Sequence, residues 1–486
     1  MEKTQLLNRK TKIIATYGPA CEPVGSISKL IQSGADLIRL NASHGADKKT
    51  LSNVVKRIRA AETKQKHRMG VFLDLQGPKI RVGKFKEGSA ILTDNSIVEI
   101  YTKKIIGTAT QFQVDYPHFL KDVQVGDSLF INDGKIKGVI ESVTKSVARC
   151  RITTGGVISN HKGVNLPSTR LSTAAFTDKD KTDAITAINI GCDYVALSFV
   201  SSAYDLIEFR KFLNENKGEK IKIIAKIERQ QAIDNLVEII KHADAVMVAR
   251  GDLGVEIGIE RVPRIQKQII QLCNKFIKPV IVATQMLESM IESKTATRAE
   301  VSDIANAIYD HCDAVMLSAE TAVGIDPAHV IKVMAEICEE TDNHLNDMRR
   351  SQTTRSKKIF EYDSTAISFC RAADQIAEEN NAAAIIAFTS SGNTPLIASK
   401  LNSLFPVLAP TDSVHVCNRS TLYRGVTPMM MPKKFKDIYR WTDMITLAVK
   451  EAKLLGILKK GDTIVVTAGI PIGKSNGINS IRILTV

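Results

Sequence analysis

ADAVMVARGDLG, residues 243–254, has an order that decides the fold, because a short apolar run comes first and the polar residues come last. Seven other segments repeat this order at helix-length spacing. Near-continuous apolar strands that alternate with helices are typical of a parallel sheet buried on both faces. The seven segments are TKIIATYGP from Thr11, ADLIRLNASHG from Ala35, MGVFLDLQGPKI from Met69, CDYVALSFV from Cys192, IKIIAKIE from Ile221, KPVIVATQML from Lys278 and CDAVMLSAE from Cys312.

Eight strands of this kind favour an α/β fold with a closed (β/α)₈ barrel. A doubly wound sheet is the structural alternative, but it does not need eight strands that end in the same way. In such barrels the active site lies at the carboxyl ends of the strands, where several strands each contribute one or two groups. The sequence therefore predicts that the polar residues after the strands converge at one rim.

The polar residues at this rim are of two chemical kinds. Glu228 and Asp252 offer hard oxygen ligands that suit Mg²⁺, with Mn²⁺ as the alternative ion. The others are cations, which suit phosphate and carboxylate groups: Arg39, Lys79, Arg81, Lys226 and Arg250. Any one of these charges also fits a structural ion pair, but burying all of them as such pairs costs heavy desolvation. A metal ion and several cations around one pocket indicate phosphoryl transfer.

Two further segments fall outside the barrel pattern. Short strands with glycine turns predict a β-barrel lid over residues 83–170, inserted into a catalytic barrel formed by residues 1–82 and 171–345. Insertions at this end of a barrel often act as lids that exclude water. Alternating helices and strands predict a separate effector-binding α/β domain over residues 346–486, which begins with a polar, basic linker.

Composition excludes several classes of protein. The net charge is +14, but aromatic residues make up 5% and the lysines are scattered, so solvated surface charge is favoured over nucleic-acid binding. No apolar run approaches the twenty residues of a membrane span, and no secretory signal is visible, so a cytoplasmic protein is expected. The eight cysteines form no CxxC pair, which predicts free buried thiols.

At these residues the chain resembles the pyruvate kinases over essentially its whole length. The matching stretches are TKIIATYGPA, IRLNASHG, DLQGPKIR, KGVNLP, AKIE, VMVARGDLGVEIG, ATQMLESM, TRAEVSDIANA and DAVMLSAETAVG. The resemblance implies a homotetramer that transfers the phosphoryl group of phosphoenolpyruvate to ADP, which gives pyruvate and ATP. A metal-dependent lyase of the same substrates is the enzymatic alternative, although it needs neither the lid nor the last domain.

The resemblance also implies roles for single residues. Lys226 matches the cation beside the transferring phosphoryl group and the developing enolate. Glu228 and Asp252 match the ligands of Mg²⁺, and Arg39 matches a phosphate-binding arginine. Gly251 and Thr284 match the groups that hold the substrate carboxylate. In the family, the Thr284 position also lies near the path of the proton that converts enolpyruvate into pyruvate. The residues that match the nucleotide-phosphate side are Asn41, Ser43, Arg81 and Lys162.

Two positions depart from the pattern of the family members that bind K⁺. Where those members have a hydroxyl residue and a glutamate, this chain has Leu75 and Lys79. A leucine cannot coordinate K⁺, and a lysine ammonium supplies an internal cation, so the sequence predicts that K⁺ is not required. The alternative is that Lys79 is a surface residue beside the Gly77–Pro78 turn. The stretches LYRGVTP and RILTV also resemble one bacterial branch of the family, the K⁺-independent one.

A regulatory site is expected in the last domain. The loop consists of Thr389, Ser390, Ser391, Gly392, Asn393 and Thr394, and it follows the apolar run AAAIIAF. Pro395 is expected at the first position of a helix. Such a loop binds anions through backbone N–H groups and the helix dipole, although an ordinary capped turn has the same sequence features. The resemblance favours a phosphorylated sugar or nucleoside monophosphate, with ribose 5-phosphate or AMP ahead of fructose 1,6-bisphosphate.

Overall fold

The computed structural model describes residues 9–44, 47–167, 169, 171–172, 176–351, 364–435, 440–470 and 477–486. The first three strands of the barrel are separated by helices, and β1 and β3 are buried along their whole length. The Asp47 side chain caps the second helix by accepting a hydrogen bond from the Thr50 N–H at 2.8 Å. These elements are β1 Lys12–Thr16, α1 Ser26–Ser33, β2 Leu37–Asn41, α2 Lys48–Gln65 and β3 Gly70–Asp74.

The lid inserted after β3 is all-β, as predicted, and its main sheet curls into a half-barrel. This sheet has the strand order β11-β7-β8-β9-β5-β6, and β10 pairs separately with β4. The edge strands β11 and β6 have two and three residues. The elements are β4 Ser89–Leu92, β5 Ile97–Tyr101, β6 Gln111–Gln113, α3 Phe119–Asp122, β7 Ser128–Ile131, β8 Ile136–Val143, β9 Ala148–Thr154, β10 Gly156–Ser159 and β11 Val164–Asn165.

Five more parallel strands complete the barrel, and β1 closes it by pairing with β16 and β2. The predicted closed eight-stranded barrel is confirmed. Its remaining elements are α4 Asp178–Ile190, β12 Tyr194–Leu197, α5 Ala203–Glu215, β13 Lys222–Ile227, α6 Gln230–Asp234, α7 Leu236–His242, β14 Ala245–Ala249, α8 Arg250–Ile257, α9 Val262–Lys275, β15 Val280–Ala283, α10 Arg298–Tyr309, β16 Ala314–Leu317, α11 Ala319–Ala322 and α12 Pro327–Ser351. Short 3₁₀ turns cover Pro19–Cys21, Ala42–His44, Ile259–Arg261, Glu288–Ile291 and Ser420–Leu422.

The C-terminal segment forms a mixed five-stranded sheet in the order β19-β18-β17-β20-β21, with β21 antiparallel to β20. Helix α12 extends to Ser351, so the first residues of the predicted linker are helical. Residues 352–363 of that linker lie outside the described residues. The elements are α13 Thr365–Glu379, β17 Ala384–Ala387, α14 Asn393–Lys400, β18 Val407–Thr411, α15 Val414–Arg419, β19 Val426–Met430, α16 Trp441–Leu454, β20 Thr463–Ala468 and β21 Ser480–Thr485.

The C-terminal domain closes the amino-terminal end of the barrel. Barrel-interior residues such as Phe72 and Tyr194 share one buried apolar cluster with Leu422 and Val426. Lys400, the last residue of α14, forms a buried ion pair with Asp313 just before β16. The two side chains are 2% and 1% exposed. This pair ties a helix of the last domain to a strand of the barrel.

Other expectations about the chain concern its cysteines and its helices. All eight cysteines are free and buried, as predicted. None of the helices in the described ranges combines the length and the apolar character needed to cross a membrane.

We expect Lys400→Met to lower the free energy of unfolding by about 3–5 kcal/mol, because it leaves the buried Asp313 carboxylate without its cation. Urea unfolding followed by circular dichroism measures the change. Lys332→Met is the matched control, since Lys332 forms a long pair with Glu336 (3.9 Å) in which both side chains are more than 60% exposed. Equal effects of the two substitutions contradict a stabilising role for the Lys400 pair.

Candidate active site

Four charged side chains meet at the rim where β2, β3 and β13 end. The Arg39 guanidinium contacts Asp74 Oδ2 at 2.7 Å. The Lys226 ammonium lies 3.2 Å from Asp74 Oδ1 and 2.8 Å from Glu228 Oε1. All four side chains are less than 15% exposed. The structure therefore brings together the predicted phosphate arginine, the predicted catalytic lysine and a predicted metal ligand.

The electrostatics of this cluster keep its lysine charged. Burial alone would lower the pKa of Lys226, but Asp74 and Glu228 outweigh it and raise the pKa above the ordinary value. Burial likewise would raise the pKa of Asp74, but Lys226 and Arg39 outweigh it and lower the pKa. A cation and an anion thus face each other in a site with little water, where charge interactions are stronger than at a surface.

The same cluster has carboxylate oxygens that fit a divalent ion. Burial raises the pKa of Glu228, and the charge of Asp252 adds to this effect against the opposing Lys226. Glu228 Oε1 and Asp74 Oδ1 are buried, and both face the Lys226 ammonium. Hard, anionic oxygens are the ligands that Mg²⁺ prefers. Within the described ranges, no group of three or more His, Cys, Asp or Glu side chains is arranged to hold a metal ion by itself.

Gly251 and Thr284, the predicted carboxylate-binding residues, are in direct contact. The Gly251 N–H donates to Thr284 Oγ1 at 2.8 Å. Gly251 lies in the first turn of α8, where backbone N–H groups and the helix dipole favour a negative charge. Thr284 has a left-handed backbone with φ of +69°. Arg250 holds that conformation by donating to the Thr284 carbonyl oxygen at 2.6 Å, rather than projecting into the site.

The four residues predicted for the nucleotide side form two separate pairs. Asn41 Oδ1 accepts from the Ser43 N–H at 3.1 Å at the end of β2. Arg81 donates to the His161 carbonyl oxygen at 2.9 Å, next to Lys162 in a lid loop. In the described residues no hydrogen bond or ion pair joins the barrel pair to the lid pair.

Lys79 lies on the cleft between the lid and the barrel. Its side chain is exposed, and the cleft is also lined by Asn165, Asp252 and Glu256. The Asn165 amide of the lid donates to Glu256 Oε1 of the barrel at 3.2 Å. The predicted internal cation is therefore beside the predicted metal ligand Asp252, on the open side of the site.

The predicted effector loop joins β17 to α14. Thr389 Oγ1 accepts from the Gly392 N–H at 2.7 Å, and Gly392 has a φ of +85°. Helix α14 begins at Asn393, so Pro395 is its third residue and not its first. The third N–H of a helix also lacks an internal partner, which explains why proline fits there. Arg419 donates to the Ser391 carbonyl oxygen and lies alongside the loop.

Some residues of the site carry no role in the sequence-based prediction. Asp74 and Ser198 stand at strand ends, so their position was a usable signal, but their partners lie on other strands. Ser198 Oγ accepts from Lys226 Nζ at 2.7 Å. The backbone N–H of Phe199 donates to Glu228 Oε2 at 2.7 Å. A backbone contact of this kind leaves no trace in the sequence.

This architecture defines a (β/α)₈-barrel enzyme with a charged, anion-binding site at the carboxyl rim of its strands. Family models match two parts of the chain, the barrel domain of pyruvate kinase over residues 8–331 and the alpha/beta domain of pyruvate kinase over residues 367–484. The chain is 40% identical to the pyruvate kinase of Corynebacterium glutamicum over 98% of each chain. It is 40% identical to pyruvate kinase 2 of a Synechocystis strain, over all of this chain and 80% of that one.

The fold has a close match among solved structures. A crystal structure of a pyruvate kinase from Cryptosporidium parvum superimposes with a TM-score of 0.90 at 32% identity, over 100% of this chain and 99% of that one. The chain belongs to the pyruvate kinase family. Its activity is the formation of pyruvate and ATP from phosphoenolpyruvate and ADP, a step of glycolysis, and members of this family generally use a divalent metal ion.

Proposed function

We propose that the cluster of Arg39, Asp74, Lys226 and Glu228 performs the phosphoryl transfer. The observation that carries this proposal is the buried Lys226 ammonium, held 2.8 Å from Glu228. Arg39 binds the phosphoryl group of phosphoenolpyruvate, and Lys226 lies beside that group as it is transferred. Glu228 and Asp252 hold the Mg²⁺ ion, which supplies positive charge to the substrate oxygens when it is bound.

The other end of the substrate is held by the start of α8. Its carboxylate binds at the N–H groups of Gly251 and Asp252 and at the Thr284 hydroxyl. Loss of the phosphoryl group leaves an enolate, and Lys226 stabilises that negative charge until carbon 3 is protonated on the side of Thr284. The nucleotide phosphates bind Asn41 and Ser43 on the barrel and Arg81 and Lys162 on the lid. Closure of the lid brings these pairs together and excludes water, which would otherwise accept the phosphoryl group.

We expect Lys226→Met to lower kcat by at least about 10³-fold, because the ammonium opposes charge that grows only in the transition state. Binding of phosphoenolpyruvate, measured by calorimetry, should change little. Lys222→Met is the matched control, since Lys222 lies on the same strand but pairs with Asp244 at the opposite end of the barrel. If the variant keeps the wild-type kcat and only its KM for phosphoenolpyruvate rises, this role of Lys226 is contradicted.

We further propose that the enzyme does not require K⁺. Leu75 is 1% exposed and its side chain consists only of carbon atoms, so that side chain cannot coordinate K⁺. The Lys79 ammonium on the cleft beside Asp252 supplies the fixed positive charge in its place. The reading of Lys79 as a plain surface residue predicts instead that its charge is irrelevant to catalysis.

The rate in a Na⁺- and K⁺-free buffer with tetramethylammonium should equal the rate in K⁺. Lys79→Glu should create a requirement for a monovalent cation or abolish activity, because it reverses the charge beside the site. Lys84→Glu is the control, since it makes the same charge change at an exposed lid position. A wild-type rate without K⁺ that is below a tenth of the rate with K⁺ contradicts the proposal.

Regulation is proposed at the loop of Thr389–Thr394. A phosphorylated sugar or nucleoside monophosphate binds there, with ribose 5-phosphate or AMP preferred to fructose 1,6-bisphosphate, and favours the state with high substrate affinity. Two observations support a negatively charged ligand. The loop hydroxyls and N–H groups surround the amino terminus of α14. The Arg419 guanidinium stands beside them, and its buried Nε makes no hydrogen bond within the described residues.

Alanine at Thr389, Ser391 and Thr394 together should abolish activation by the effector and leave the unactivated rate intact, because the loop lies in the C-terminal domain, away from the Lys226 cluster, and the Thr389 and Ser391 hydroxyls accept hydrogen bonds from N–H groups of the loop itself. Activity at subsaturating phosphoenolpyruvate is titrated with each of the three candidates. Thr446→Ala, at an exposed position on α16, is the control. Unchanged activation of the triple variant, or no response of the wild type to any candidate, removes the loop from the regulation.

The assembly and the cellular location follow from the family resemblance alone. On that ground we propose a homotetramer in the cytoplasm. Sedimentation velocity of the purified enzyme tests the first of these.

A further inference from the structure

Phe199, the second residue after the carboxyl end of β12, has an unusual backbone conformation. Phe199 has a φ of +55°, in the left-handed region that favours glycine. A bulky residue in this region is strained, and the conformation persists only where the surroundings enforce it. Thr284 and Gln285, at the end of β15, share this feature with φ of +69° and +53°. All three stand at the rim that carries the active site.

The strained backbone aims one N–H group at the predicted metal ligand. The Phe199 N–H donates to Glu228 Oε2 at 2.7 Å, and Glu228 is fully buried. This bond fixes one carboxylate oxygen and turns Oε1 towards Lys226, which lies 2.8 Å away. The orientation of Glu228 therefore depends on the conformation of Phe199.

Two neighbours hold the Phe199 ring in place. The Arg229 guanidinium lies over the ring, 4.8 Å from its centroid. On another side the Gly77 backbone is so close that a Cβ atom there would lie 2.8 Å from Phe199 Cδ2 and 2.9 Å from Ser198 Cβ. A ring packed in this way resists the rotation that would carry its N–H away from Glu228.

Ser198 orients the neighbouring lysine. Its hydroxyl donates to the Leu75 carbonyl oxygen at 2.7 Å and accepts from Lys226 Nζ at 2.7 Å. A serine hydroxyl has one proton, so donation to Leu75 leaves its lone pairs for the lysine. An ammonium has three protons, and here its three neighbours are Asp74, Glu228 and Ser198. The serine is the neutral member of this set, and its hydrogen bond fixes the position of the ammonium relative to the two carboxylates.

We propose that Ser198 and Phe199 are positioning residues of the phosphoryl-transfer site, which hold the Lys226 ammonium and the Glu228 carboxylate in their working orientations. This inference rests on the roles proposed for Lys226 and Glu228. Neither residue needs to touch the substrate. A purely structural role in the loop after β12 is the competing explanation, and it predicts effects on stability rather than on catalysis.

Ser198→Ala should lower kcat by about 10–100-fold, the usual loss for removal of a group that orients a catalytic residue, while KM for phosphoenolpyruvate stays nearly constant. Ser198→Thr should restore kcat, because it returns the hydroxyl. Ser201→Ala is the matched control, since Ser201 lies in the same loop but donates to Asp205 at 2.9 Å. Thermal unfolding is recorded for each variant.

Phe199→Leu should weaken binding of Mn²⁺ by about 10-fold, because the leucine lacks the ring that Arg229 covers. Without that packing, the backbone N–H of residue 199 no longer holds the Glu228 carboxylate in its orientation. Electron paramagnetic resonance measures Mn²⁺ binding to the substrate-free enzyme, so this readout does not depend on activity. Phe199→Tyr should restore the affinity. Phe212→Leu, in an aromatic cluster on α5, is the control for loss of a ring.

Two results overturn the inference. One is a kcat of Ser198→Ala that falls no further than that of Ser201→Ala, and the other is Mn²⁺ affinity of Phe199→Leu equal to that of Phe212→Leu. Lys226→Met is measured in the same assays. If it collapses kcat while Ser198→Ala does not, the positioning role fails and the proposed function stands. If Lys226→Met itself keeps its kcat, the proposed function is what fails.

Discussion

The contact between the Lys226 ammonium and the carboxylates of Asp74 and Glu228 is the interaction on which the site depends. A buried charge is tolerated only when opposite charges and hydrogen bonds compensate it. Here the compensation comes from three neighbouring strands, β3, β12 and β13, whose carboxyl ends lie side by side because β12 pairs with both of the others. The fold thus compensates the cost of burying the Lys226 cation. The compensation is kept only while these strands keep their register.

The same reasoning explains the strained residues at the rim. Left-handed backbone at Phe199 and Thr284 is unfavourable locally, but the strands that precede both residues are fully buried and cannot shift. Arg250 contacts the carbonyl oxygens around Thr284, and Arg229 covers the Phe199 ring. The barrel is therefore rigid enough to hold the residues just after its strands in a strained backbone conformation. That conformation places their polar groups in the site.

The sequence predicts the elements that follow a simple period and misses the contacts between distant residues. All eight barrel strands are confirmed, because a buried parallel strand is apolar over its whole length. Strands β18 and β19 went unpredicted, since Pro410 and Pro428 remove backbone donors and argue against strands. The all-β lid was predictable from its short strands and glycine turns, but the pairing order of those strands, which makes it a half-barrel, is not visible in the sequence. Ser198 was visible as a strand-end residue, but its bond to Lys226 spans 28 positions.

The lid has a core of its own, and this determines how it can act. Apolar residues from Ile80 to Leu166 pack together, apart from the main barrel cluster. Within the described ranges, the polar contacts between the lid and the barrel include Asn165 with Glu256 at 3.2 Å and, where the inserted segment ends, Ser172 with Asp122 at 2.7 Å. A body that keeps its core intact can rotate at the cost of a few surface bonds, which is the physical basis of domain closure. Arg81 and Lys162 belong to this body, whereas Asn41 and Ser43 belong to the barrel. In the proposed arrangement, a nucleotide held between the two pairs would be enclosed by a movement that leaves the Lys226 cluster in place.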